Sequence, residues 1–142
     1  MAFTNSLAPA AIVDIDGTLA LRGDRSPFDW SRVELDQPNT PVIVIVRALR
    51  ALGYEILVVS GREDLCRDAT ERWLHKHIDF IPLLFMRSAG DYRPDYIVKE
   101  EIYRTHIEFQ WDVTLVLDDR QQTVDLWRRL GITTLQVAAG DF

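Results

Sequence analysis

The chain has 142 residues, a formal net charge of −6 at pH 7, 47% hydrophobic and 27% charged residues. That is the composition of one ordinary globular domain, which excludes a collagen-like, disordered or disulfide-stapled protein. A single cysteine, Cys66, excludes an internal disulfide and fits a reducing, cytoplasmic setting. No apolar run approaches the ~20 residues that cross a bilayer, and no secretory leader is expected ahead of Arg22. A net anion does not bind nucleic acid non-specifically through its overall field.

Residues 1–9 are expected to form a flexible arm, and residues 10–142 one domain. Ala10–Asp16 reads as a buried strand ending in two carboxylates and Gly17, followed by about twenty polar residues. Thr40–Gly53 reads as a helix, with Thr40 as N-cap, Pro41 at N1 and Gly53 just past its end. Val42, Ile45, Val46, Leu49 and Leu52 are its expected core face. Tyr54–Ser60 has the continuous apolar centre of a parallel strand covered on both faces. Glu63–His77 reads as a helix with Leu65, Ala69 and Trp73 along one stripe.

Phe80–Met86 is expected to be a strand, placed at a sheet edge by Pro82. A helix over Asp95–Ile107 precedes the strand Val113–Leu117, which ends at Asp118 and Asp119. Gln121–Leu130 is a helix stopped by Gly131, and Thr133–Val137 is the last strand. Strand and helix alternate five times, which predicts an α/β fold: one mainly parallel five-stranded sheet between helical layers.

Ligands of such sheets bind beyond the carboxyl ends of the strands, where strand order reverses. Asp14, Asp16, Ser60, Asp118 and Asp119 all fall at expected strand ends, and Lys99 sits early in a helix. Gathered carboxylates repel one another, and a hard divalent cation with oxygen ligands such as Mg²⁺ resolves the repulsion. Aspartate, Mg²⁺ and lysine together make a phosphate site.

DIDGT at 14–18, VVSGR at 58–62, Lys99 and LVLDD at 115–119 resemble the four ordered motifs of the haloacid dehalogenase-type phosphatases. The resemblance implies a single Rossmann-like three-layer domain. Asp14 would be the nucleophile, forming an aspartyl-phosphate, and Asp16 the general acid and then base. Mg²⁺ would be held by Asp14, the Asp16 carbonyl and Asp118, with Asp119 close by. Gly17, Thr18, Ser60, Gly61 and Lys99 would surround the phosphoryl group.

The segment 23–29, the run Ser60-Gly61-Arg62-Glu63, residues 90–101, and DDRQQTVDLWRRLG with QVAAGDF are more narrowly similar to the 3′-phosphatase domain of phage-type polynucleotide kinases. That similarity implies a 3′-phosphorylated polynucleotide end as substrate, in DNA or RNA repair. It also implies a possible kinase or ligase partner on another chain or domain. It marks Arg25, Arg62 and Asp95 as important, the arginines as bidentate phosphate ligands and Asp95 as a positioner of Lys99 or an arginine.

No GxxxxGK[ST] loop is present, so this chain is not expected to act as a kinase. The insertions after the first motif and before Lys99 are too short to bury a core, so cap elements are minimal and the site is expected to be open. An open site suits a phosphate on a large molecule. The four tryptophans read as packing residues, and Trp30, in the loop beside the expected site, is the one to test for stacking against a terminal base. Two other readings stay open: a phosphatase of small phosphomonoesters, and a non-catalytic phospho-aspartate module of the receiver type, which lacks an acid two residues after the nucleophile.

Overall fold

The computed structural model describes residues 6–141. Five strands form one parallel sheet: β1 (Pro9–Val13), β4 (Glu55–Glu63), β5 (Leu83–Arg87), β6 (Asp112–Asp118) and β7 (Thr133–Gln136), in the order β5-β4-β1-β6-β7. Two short strands, β2 (Ala20–Leu21) and β3 (Gln37–Pro38), pair antiparallel in a separate ribbon. From β1 the chain builds outward through β4 to β5, then returns to the other side of β1 for β6 and β7. Strand order therefore reverses at the carboxyl ends of β1 and β6, where the motif acids lie.

The central strands are apolar on both faces because both are covered. Ala11, Val13, Ile56 and Val58 face a core with Val46, Trp73 and Leu74 of helices α1 (Thr40–Ala51) and α2 (Arg67–Ile78). Ala10, Ile12, Leu57 and Val59 face a second core with Val98, Ile102, Leu126 and Trp127 of α3 (Asp95–Ile102) and α4 (Gln121–Arg129). Period-2 alternation thus sends neighbouring residues of one strand into opposite cores. The five-stranded α/β architecture and the edge position of β5 are as the sequence predicts, with Pro82 just before the strand.

Several boundaries differ. Residues 1–5 of the expected arm, and Phe142, lie outside the described residues. The rest of the arm joins the fold early: β1 starts at Pro9, and the Ala8 carbonyl accepts from the Asp112 N–H at 2.9 Å. The N-cap of α1 is Asn39 rather than Thr40, and its side chain donates to the Thr18 carbonyl at 2.9 Å instead of capping the helix. Ile43 replaces Ile45 on the buried face of α1, and Ile45 and Leu52 are exposed.

Leu65 is also exposed, because residues Asp64–Cys66 form a 3₁₀ turn that rotates it off the face of α2. The expected long helix over 95–107 ends as α3 at Ile102, and Tyr103–Ile107 continues as a π-helical turn. The twenty-odd residues after the first motif hold the β2–β3 ribbon and a 3₁₀ segment, Trp30–Leu35, that the sequence reading leaves as irregular loop.

Leu74 is 1% exposed inside the first core. Leu74→Ala is expected to lower unfolding free energy by about 3 kcal/mol, from lost burial plus the cavity left behind. Urea melts should show a lower midpoint with an unchanged slope.

Candidate active site

Asp14 follows β1, and its N–H still donates to the Leu117 carbonyl of β6 at 3.0 Å. Asp118 ends β6, so neighbouring parallel strands carry the two carboxylates to the same carboxyl end of the sheet. Lys99, on the first turns of α3, is 1% exposed and reaches both. Its Nζ donates to Asp14 Oδ1 at 2.8 Å and to Asp118 Oδ2 at 3.2 Å, and lies 3.6 Å from Asp95 Oδ2. The Trp127 indole N–H donates to the same Asp118 oxygen at 3.3 Å, while the Asp119 and Arg120 N–H groups donate to Asp118 Oδ1.

Asp119 lies beside this pair, and the Thr18 hydroxyl is within reach of Asp14 Oδ2 at 3.3 Å and Asp119 Oδ1 at 3.4 Å. Oxygens of Asp14, Asp118 and Asp119 all fall within 4.8 Å of one another. Burial pushes Asp14 well above the ordinary carboxylate range; Lys99 opposes the rise, and Asp118, Asp119 and Asp95 add to it. Burial likewise raises Asp119. One ammonium does not balance this cluster, and an all-carboxylate donor set of this size fits a hard divalent cation. Gly17 leaves the room: its φ is +84°, and a Cβ there would collide with the Asp119 carboxylate.

Asp16 stands apart from this group, on a second network. Its Oδ1 accepts from Arg25 at 3.1 Å and from Arg62 at 2.9 Å, and its Oδ2 accepts from Arg62 Nε at 3.0 Å. Behind the arginines lies buried Asp36, which accepts from Arg25 Nε and Nη2, both at 2.9 Å, and from Arg62 at 3.1 Å. Arg25 also donates to the Ser26 and Asp29 carbonyls, and Arg62 to the Thr70 hydroxyl.

The side chains of Arg25 and Arg62 are 3% and 0% exposed. Expected as phosphate ligands, the two arginines here brace Asp16, and every one of their guanidinium nitrogens is bonded within the protein. Asp36 is the residue that sequence reasoning missed. Nothing but a lone acid before Pro38 marks it, and only the folded insertion brings it behind the two arginines.

Ser60 is buried, and its hydroxyl accepts from the Arg62 N–H at 3.1 Å, within β4. Asp95 is held between cations, with Arg87 at 3.2 Å and Arg120 at 3.8 Å besides Lys99. Burial pushes its carboxyl up, but Lys99, Arg120 and Arg87 together hold it below the usual value. A Cβ on Gly61 would strike the Asp95 carboxylate, so that glycine lets β4 approach α3. Trp30 lines the cleft but is engaged, its indole N–H donating to Glu63 at 3.2 Å and its ring 5.9 Å from the Arg25 guanidinium. Cys66 is buried, and its thiol donates to the Glu63 carbonyl at 3.3 Å.

Above the acids opens a cleft of about 950 Å³, lined by Asp14, Asp16, Asp119, the end of β4 at 61–63 and residues from the segments 21–30 and 87–95. Residues 8–142 match the family described as the polynucleotide kinase PNKP phosphatase domain. The chain belongs to that family. It is a phosphatase domain of haloacid dehalogenase type.

A protein of Autographa californica nuclear polyhedrosis virus, named as a bifunctional polynucleotide kinase/RNA ligase, is 35% identical over 136 residues, covering 94% of this chain and 20% of the relative. A chain of the Pnkp1/Rnl/Hen1 RNA repair complex superposes with a TM-score of 0.92 at 42% identity, covering 96% of this chain and 44% of that one. The chain thus spans a fifth of the viral relative and under half of the solved one. A class C acid phosphatase from Bacillus anthracis, with tungstate bound, shares the fold at a TM-score of 0.59 and 13% identity over 95% of this chain and 70% of that one. No helix among the described residues is long and apolar enough to cross a membrane.

Saturating Mg²⁺ is expected to raise stability by about 3 kcal/mol at a hundredfold excess over Kd, read as a higher Tm. Gly17→Ala should fold yet lose that shift. Asp95 supplies a pH-dependent test. A carboxyl held low in the folded state stabilises above its unfolded pKa of about 3.9, and that stability is lost as pH falls through the folded value. Asp95→Asn should cost about 2 kcal/mol at pH 7, with the difference shrinking towards pH 3 in urea melts.

Proposed function

We propose that the chain removes the terminal 3′-phosphate of a polynucleotide, leaving a 3′-hydroxyl for repair, and that residues 10–142 constitute the phosphatase domain. The observation that carries this reading is the pair of networks in one open cleft: Lys99 tying Asp14 to Asp118, and two buried arginines fixing Asp16 two residues further on. Family membership, and the repair proteins among the relatives, support a polynucleotide end as the substrate. Kinase or ligase functions on another chain or domain would then act on the healed end.

In the proposed reaction an Asp14 oxygen attacks phosphorus as the bond to the 3′ oxygen breaks, giving an aspartyl-phosphate. Asp16 delivers the proton that the leaving oxygen takes up. A water then attacks phosphorus, Asp16 accepts its proton, and the Asp14 carboxylate is released with inorganic phosphate. Lys99 holds Asp14 in line and places positive charge beside the phosphoryl oxygens.

Thr18, through its backbone and hydroxyl, and Ser60 and Gly61, at the end of the covered part of β4, would shape the floor around the phosphoryl group. Asp14, Asp118 and Asp119, with the Asp16 carbonyl, would hold Mg²⁺. When bound it supplies positive charge against the phosphoryl oxygens and relieves the repulsion among the acids. Asp16 keeps a defined position because Arg25 and Arg62 are themselves immobilised by Asp36. Asp95 orients Lys99 from behind.

The test compares single-stranded oligonucleotides phosphorylated at the 3′ or the 5′ end, with Mg²⁺ and with chelator. Phosphate release is expected from the 3′ end only, and to cease with chelator. Asp14→Asn should abolish it. Asp16→Ala should lower kcat by about 10²–10⁴. Equal release from both ends, or activity unchanged in Asp14→Asn, refutes the assignment. A stable phosphoprotein without turnover would favour a receiver-type module, and equal cleavage of free 3′-nucleotides a small-molecule phosphatase.

A further inference from the structure

Two aromatic rings in the cleft have no packing role. Phe28 is 84% and Tyr92 85% exposed, and both line the same cleft as Asp14 and Asp16. They sit on different loops, and each loop is fastened from beneath by an arginine. Arg25 donates to the carbonyls of Ser26 and Asp29, which bracket Phe28, at 3.2 and 3.0 Å. Arg87 donates to the carbonyls of Asp91 and Arg93, which bracket Tyr92, at 2.9 and 2.5 Å. The Arg93 side chain ties the second loop further, to Asp91 and to Glu101 of α3.

Exposed rings on slack loops would be unremarkable, since scattered apolar residues are normal on a surface. Exposed rings on loops held at both flanks are different: their position is fixed without any burial to reward it. The cleft is also at the upper end of ligand-sized cavities, about 300–1,000 Å³, and far larger than one phosphoryl group requires. Arg22 lines the same cleft, and its guanidinium makes no hydrogen bond or ion pair among the described residues. Flat apolar faces and an unengaged cation in one cleft suit a ligand that alternates aromatic planes with anions, which is the chemistry of a single-stranded nucleic acid.

Resting on the 3′-phosphatase reading, we propose that Phe28 and Tyr92 form a stacking platform for the last unpaired bases of the substrate, with Arg22 facing its backbone phosphate. The platform accepts any base, because every base offers a π face. It acts on affinity for the polynucleotide and leaves the chemical step to the acids beneath.

The experiment compares two 3′-phosphorylated single strands, one with its last two residues intact and one with both abasic. Phe28→Ala and Tyr92→Ala are each expected to lower kcat/KM on the intact strand about tenfold, through KM, with under about twofold effect on the abasic strand. Phe28→Tyr and Tyr92→Phe should retain native values. Equal losses on both strands, native kcat/KM in the double alanine variant, or native protein that cleaves both strands alike overturns the platform while leaving the phosphatase reading intact. A blunt duplex cleaved as fast as the single strand overturns the requirement for unpaired bases. No phosphate release from either strand by the native protein would instead defeat the 3′-phosphatase reading, and the platform with it.

Discussion

The site is organised by one buried ammonium. Lys99 is enclosed in protein, where an unpaired charge is costly, and burial alone would lower its pKa. Asp118, Asp14 and Asp95 reverse that effect and hold it well above the ordinary lysine value. The dependence is mutual, because Asp14 and Asp118 close the ends of neighbouring strands where neither could be buried as a lone anion. The register of β1 on β6, the placement of α3 near the carboxyl ends of these strands and the small residue at position 61 all converge on this contact. Removing one partner would leave the others as uncompensated charges, so the arrangement constrains fold and chemistry together.

A second constraint lies in the insertion after β1. It is too short to form a cap with its own core, yet it carries Arg25 and Asp36 inward to complete a four-residue network with Asp16 and Arg62. The Trp73 indole N–H donates to the Asp36 carbonyl at 2.9 Å, which anchors the segment to α2 in the first core. Arg25 then serves two places at once: Asp16 through one end of its guanidinium, and the loop bearing Phe28 through the other. The insertion shapes the open cleft from one side without closing it.

How much of this was legible depends on how far each feature is encoded locally. The strands β1, β4 and β6 are short continuous apolar runs ending in acids or serine, so their sheet and the strand-end cluster could be read directly. Lys99 was readable because its motif context is ordered, although a helix lysine by itself is ordinarily solvated. The bracing of Asp16 by Arg25 and Arg62 is not legible, because an arginine beside a phosphate site satisfies the same motif whether it faces the ligand or a carboxylate. That choice is made by Asp36, eleven residues from one arginine and twenty-six from the other, and no local pattern reports it. The 3₁₀ turn at Asp64–Cys66 and the π turn at Tyr103–Ile107 keep the chain coiled beyond the regular helices and move their ends by a little over one turn, which periodicity does not resolve.

Net charge takes on a different meaning once its carriers are placed. Two of the sixteen basic residues are lysine, Lys76 and Lys99, and the rest are arginine, several of them used inside the protein as forks. Arg25, Arg62 and Arg87 neutralise Asp16, Asp36 and Asp95 or fasten loop carbonyls, so they contribute little to any long-range field. A charge of −6 is therefore compatible with an anionic substrate only if recognition is short-range. Fixed geometry supplies that kind of recognition: planar guanidinium groups set the positions of an acid and two loops, and the loops set the positions of two exposed rings. A point-charge lysine could not hold two carbonyls and a carboxylate in one plane, so substituting it for Arg25 would free both the acid and the ring. The strong preference for arginine, on this argument, serves the architecture of the cleft more than its attraction for the substrate.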